Sequence, residues 1–163
     1  MKRYQQGVML IEALIGILIF SIGILALIAM QASAVSAQSD AQFRIEAAHM
    51  AERLVNKIWV NVSRVNAAAT QTSLADAGGF VHQPTEASWC NFTGAVSANP
   101  IVADWIDDVT NNAATRLPGT AANMVSVAID TSATAYNKVT VSICWKAPND
   151  AVARKHQIVT HIN

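Results

Sequence analysis

The sequence predicts an α+β protein: one long N-terminal helix, then a small antiparallel sheet with one extra helix. Three observations predict it. Much of the apolar excess lies in the first 30 residues, as an almost unbroken run from Val8 to Met30. Apolar residues at steps of three and four then continue to about position 65. Finally, the C-terminal part holds three alternating segments separated by turn-forming residues. The composition agrees. Of 163 residues, 52% are hydrophobic and 13% charged, about half the charged share of an ordinary soluble domain. A disordered chain or a coiled coil rich in salt bridges is thereby excluded. The 11 Lys and Arg balance the 11 Asp and Glu, which argues against nucleic acid as a partner, because phosphate binding draws on a basic surplus.

Residues Val8 to Met30 read VMLIEALIGILIFSIGILALIAM, with one charge, Glu12, and one hydroxyl, Ser21. As a helix this run rises roughly 35 Å, enough for a hydrocarbon core of about 30 Å. Lys2 and Arg3 precede it, and no acid lies upstream of Glu12. Positive charge ahead of the first apolar span places the N-terminus in the cytoplasm and the remainder outside it. A cleaved secretory signal fits the basic start and the small residues from Ala32 to Ala37, but the run exceeds the usual 7–15 residues. A plain membrane anchor explains the length and leaves Glu12 without a purpose, although a carboxylate in a spanning helix costs about 2.5–3.5 kcal/mol.

A third reading accounts for both features. The run Gly7-Val8-Met9-Leu10-Ile11-Glu12, preceded by Lys2 and Arg3, resembles the N-terminus of type IV prepilins. The resemblance implies that prepilin peptidase cuts between Gly7 and Val8 and methylates the new amine of Val8. The family usually has Phe, or sometimes Met, where this chain has Val8. Residues 1–7 are then a cleaved leader, 8–30 a transmembrane and filament-core helix, 31–65 an amphipathic helix continuing into the head, and 66–163 a periplasmic or extracellular head. Glu12 becomes the fifth residue of the mature chain, where the family keeps a glutamate for subunit assembly. Between parallel, staggered subunits, the amine of one can meet the carboxylate of the next. That pairing keeps the acid ionised, repays part of its desolvation and sets register. Gly16 and Gly23 lie on nearly one helix face. They either admit a close neighbouring backbone or reflect only the frequency of glycine in membrane helices.

Beyond Met30 there is no Pro or Gly before Gly78, and the stretch from Gln31 to Gln42 favours helix by propensity. Phe43, Ala47, Met50, Leu54, Ile58, Val62 and Val65 form one amphipathic face. The expectation is one helix from about Val8 to about Val65, roughly 85 Å long. The alternative is two helices with a break between Ser33 and Ser39. Asn66 to Gly79 reads as a loop.

In the head, Gly79 to Ala98 holds one weak strand. Asn99-Pro100 supplies an N-cap and a first-turn proline for a helix over 100–116. Asp104, Asp107 and Asp108 are assigned to its first turns, where the dipole favours anions. Ile101, Trp105, Val109 and Ala113 form its apolar face, and Pro118-Gly119 stops it. Strands follow at Met124–Asp130, Lys138–Lys146 and Ala153–Ile162, as an antiparallel meander.

Within the prepilin-like proteins, several stretches resemble minor pilins of the PilV type. They are Ala103-Asp104-Trp105 through Leu117-Pro118-Gly119, Val125 to Ile129, Val139-Thr140-Val141 with Cys144-Trp145, and Ser21-Ile22-Gly23-Ile24-Leu25 with Gln31. This implies a single-pass inner-membrane protein of bacteria that enters the pilus and helps to initiate or prime its assembly. Adhesion and twitching motility would depend on it. Its partners would be prepilin peptidase, other minor pilins, the major pilin and the inner-membrane assembly machinery. A minor pseudopilin of a type II secretion system shares the same N-terminus and head.

Cys90 and Cys144 both fall on the exported side, so they form one disulfide or remain two buried thiols. No nucleophile elbow, phosphate loop or zinc motif occurs, and no cofactor, metal or catalytic residue is expected. His49, His82, His156 and His161 lack metal-ligand spacing. The three aspartates of the head helix read as helix-start acids rather than a calcium cluster. Asn61-Val62-Ser63 and Asn91-Phe92-Thr93 match a glycosylation sequon that means nothing in a bacterial pilin-like chain. Trp59, Trp89, Trp105 and Trp145 read as core packing rather than a ligand platform. An anchored periplasmic enzyme or binding domain is the competing class, and it would need convergent polar groups in a concave site.

Overall fold

The computed structural model describes residues 6–75, 79–148 and 150–162, with side chains from residue 9 onward. The chain divides into two compact units, Met1–Ala41 and Gln42–Asn163. Helix α1 (Gln6–Asn61) begins in the first and ends in the second without interruption. The break considered between Ser33 and Ser39 does not occur, because that Ala-rich stretch contains neither Pro nor Gly.

In the first unit every described side chain from residue 9 to residue 38 is exposed. Phe20 is 68% exposed and Leu25 66%, so among the described residues this apolar surface stays uncovered. By length and composition this helix can cross a membrane. Ser21 donates its hydroxyl to the Ile17 carbonyl at 2.7 Å, which satisfies the group inside its own helix, as hydrocarbon requires.

In the second unit, Ala47, Met50, Leu54 and Ile58 are buried, as their spacing predicts, and Ala51 joins them. The helix ends at Asn61, short of Val65, which is 86% exposed. Its last carbonyls are taken by side chains: Asn61 Nδ2 donates to Lys57 O at 2.8 Å and Arg64 to Trp59 O at 2.8 Å. The stretch expected as a loop contains helix α2 (Ala67–Ala75). Asn66 accepts the Ala69 amide at 2.8 Å, an N-cap opening an alanine run, and α2 buries Thr70 and Leu74.

The region read as one weak strand forms a two-stranded antiparallel hairpin, β1 (Thr85–Ser88) and β2 (Asn91–Thr93). Helix α3 (Pro100–Thr110) starts as the sequence indicates, with Asn99 Oδ1 accepting from Ile101 N at 2.9 Å. It stops before 116, so Ala113 lies outside it. The aspartates are not in its first turn. Asp107 and Asp108 sit in the last turn, where the dipole opposes anions. Side chains hold them there: Asn111 donates to Asp107 at 2.9 Å, Asn112 to Asp108 at 3.1 Å, and Arg53 to Asp108 at 3.3 Å.

A 3-10 turn (Ala122–Met124) leads into β3 (Val125–Asp130), β4 (Lys138–Trp145) and β5 (Arg154–His161), an antiparallel sheet in that order. Val127 faces Val141, and Val141 faces Ile158. Val125, Val127, Val139, Val141, Ile143 and Trp145 belong to one core with the α1 face and with Val102, Trp105 and Val109 of α3. Trp105 Nε1 donates to the Met50 carbonyl at 3.0 Å within that core. The alternation expected of β4 is incomplete, because Ser142 and Cys144 on its other face are also buried. Cys144 packs there with Cys90 and Phe92 of the hairpin region.

The residues after α3 close over the end of β4. Lys146 donates to the Pro118 carbonyl at 2.9 Å. Gly119 has φ +61°, and a Cβ there would lie 2.5 Å from the Lys146 carbonyl oxygen. Gly119→Ala is therefore expected to lower stability by roughly 2 kcal/mol or more, since left-handed backbone alone costs an L-residue about 1–2 kcal/mol. A fall in the urea midpoint at unchanged slope, followed by tryptophan fluorescence on the detergent-solubilised chain, checks this.

Candidate functional site

Glu12 is the one acid in the apolar half of α1 and is exposed there. Within a helical turn its neighbours are Val8, Met9, Ile15 and Gly16, and no cation lies between residues 8 and 16. No side chain within a turn offers Glu12 an opposite charge, so in a lipid setting its compensation would have to come from elsewhere. Gly16 and Gly23 are open, with nothing within 4 Å of a Cβ built at either. Gly7 and Val8 fall in the opening turns of α1, with their side chains outside the described residues. Lys2 and Arg3 also lie outside them.

Cys90 and Cys144 are joined, with Cα atoms 5.8 Å apart; the alternative of two buried free thiols does not hold. The bond fixes the β1–β2 turn to the middle of the sheet. Cys90 has φ +58°, and its N–H donates to Glu86 Oε1 at 3.1 Å. Glu86 in turn pairs with Lys155 of β5 at 2.9 Å. The Lys155 ammonium beside it, with the Cys90 amide, holds the Glu86 carboxyl below the usual carboxylate range. Lys155 also lies 4.5 Å from the ring centroid of Trp89, whose Nε1 donates to the Ala153 carbonyl at 2.8 Å.

The tryptophans divide. Trp105 and Trp145 are core, as expected, while Trp89 is 58% and Trp59 36% exposed. Each exposed ring carries a cation over one face, Lys155 on Trp89 and Arg64 on Trp59 at 4.2 Å. For Trp59 the signal was in the sequence, since it lies off the buried stripe of α1. For Trp89 no local signal exists; its partners are more than 60 residues away.

Among the described residues no three His, Cys, Asp or Glu are grouped to hold a metal ion. His49 and His161 are exposed, His156 is half-buried and His82 is fully buried. A surface cavity of about 460 Å³ is lined by Phe43, Thr110, Leu117 and their neighbours, with Arg116 its one ionisable side chain. A single guanidinium supplies no acid–base pair. The chain matches no protein-family model, no curated protein and no solved structure.

Proposed function

We propose that this chain is a minor type IV pilin, a structural subunit processed by prepilin peptidase and incorporated into the pilus. The observation that carries the reading is Glu12, a lone carboxylate on the exposed apolar part of α1, one turn after the amine that cleavage behind Gly7 would create. Between staggered parallel subunits the amine of one lies within reach of Glu12 on the next, while the side chains of residues 8–16 include no cation. The disulfide of the head fits folding in an oxidising compartment. Helping to prime filament assembly among other minor pilins, and supporting adhesion and twitching motility, follow from the same resemblance.

The test is the intact mass of the membrane-extracted protein. The proposal expects loss of residues 1–7 and one added methyl group on Val8. An unprocessed chain would overturn it in favour of a plain anchor. In a deletion strain, restored piliation supports a pilin, while restored secretion assigns the chain to a type II secretion machine.

A further inference from the structure

His82 is 1% exposed and holds the segment 79–98 to the sheet. Its N–H donates to Val127 O at 2.9 Å, and its carbonyl accepts Val127 N at 2.8 Å, an isolated bridge on the edge of β3. Its ring is engaged from the other side. Nδ1 accepts the backbone amide of Ser97 at 3.3 Å, which requires that nitrogen to be unprotonated and fixes the neutral tautomer with its proton on Nε2. Ser97 passes the contact on, since its hydroxyl donates to Gly79 O at 2.9 Å and accepts from Asn99 N at 3.2 Å. Asn99 is the N-cap of α3. The next residue, Gln83, sits at φ +42°. Its N–H donates to Ala95 O at 2.7 Å and its carbonyl accepts from Ser126 Oγ at 2.9 Å.

We propose that His82 is an acid-released latch: a proton on its imidazole detaches the segment 79–98 from β3 and from the α3 cap, while the Cys90–Cys144 bond keeps that segment tethered. Protonated Nδ1 would point one N–H at another, so the Ser97 contact becomes repulsive and a charge is buried. No ionisable side chain among the groups bonded to His82 and Gln83 offsets that charge. The groups bonded to His82 and Gln83 belong to Ser97 and Ala95, to Val127 and Ser126 of β3, and none of them titrates. Nε2 has no hydrogen-bond partner of good geometry. Burial holds the imidazole below the usual histidine value and outweighs the Ala122 carbonyl, which favours protonation. The sign follows. Below pH ~6.5 the open segment takes up a proton that the closed one resists, so acid favours opening, by up to about tenfold per pH unit.

Hydrogen exchange of the full-length, disulfide-intact chain in detergent, run beside an NMR titration of the His82 ring, tests this. Protection factors are used because they divide out the intrinsic acid dependence of exchange. The expected result is loss of protection at the His82, Ser97 and Val127 amides with the same midpoint as the ring titration. Val141 and Ile143 of β4 should stay protected, and the effect should be absent in His82→Gln. A ring that titrates while those amides keep their protection would overturn the latch. So would equal acid sensitivity in His82→Gln, loss of β4 protection in step with them, or a ring that stays neutral down to pH ~4. If His82→Gln does not fold, the midpoints in the wild-type chain decide alone.

Discussion

Glu12→Ala is expected to leave membrane insertion and leader cleavage intact and to reduce incorporation into filaments to near background. Removing the carboxylate lowers the insertion cost of the helix by about 2.5–3.5 kcal/mol, so a loss of membrane-bound protein is not anticipated. The proposed partner is the methylated amine of Val8 on an adjacent subunit, and without Glu12 that amine becomes an uncompensated charge in an apolar setting. Losing one member of a buried pair typically costs 3–5 kcal/mol, a factor of more than a hundred in association. Glu12→Gln, which keeps shape and polarity but not charge, should fall with the alanine variant if pairing rather than hydrogen bonding is the source. Quantifying the chain in sheared filaments against that in membranes reads the effect; wild-type incorporation by both variants removes the charge pair from the proposal.

The second large effect concerns stability. Cys90 and Cys144 are separated by 54 positions, and replacing both by serine should destabilise the head by about 4 kcal/mol on the chain-entropy account, less where the unfolded chain retains structure. The loss has a local component too. With the bond gone, β1 and β2 are held by the Glu86–Lys155 pair, the Trp89–Ala153 and Asn123–Asn91 contacts, burial of Phe92 and, just ahead of β1, the His82–Val127 bridge. An ion pair of this exposure contributes at most about 1 kcal/mol. Thermal unfolding of the double variant should therefore show the hairpin, reported by Trp89 fluorescence, releasing below the main transition. Coincident loss of both signals at the wild-type temperature would show that the bond contributes little.

Much of this fold was legible in the chain, and the misses share a cause. The buried face of α1, the Asn99 cap and the three strands of the meander follow from spacing and capping chemistry that act within a few residues. Most corrections involve a partner distant in sequence or a cap that interrupts the apolar period. Val65 continued the apolar period, yet Asn61, Arg64 and the N-cap Asn66 close one helix and open the next. Asp108 looked like a dipole-stabilised acid, but its position is set partly by Arg53, 55 residues earlier. The second buried face of β4 comes from the disulfide-linked hairpin, which local alternation cannot reveal. The candidate site divided in the same way. Glu12 stood out against its apolar surroundings, whereas the tertiary role of His82 depends on Val127 and Ser97 and left no mark in the spacing of the histidines.

The order in which the core closes has a bearing on how the polypeptide comes off the ribosome. The oily stripe of α1 between Ala47 and Ile58 is synthesised early, and much of what shields it, from Val102 to Trp145, arrives as much as roughly 90 residues later. A nascent chain halted before Val102 carries the long apolar run of α1 and a second apolar strip that still lacks most of its cover. That interval of synthesis is the one in which chaperone cover for the strip guards against aggregation.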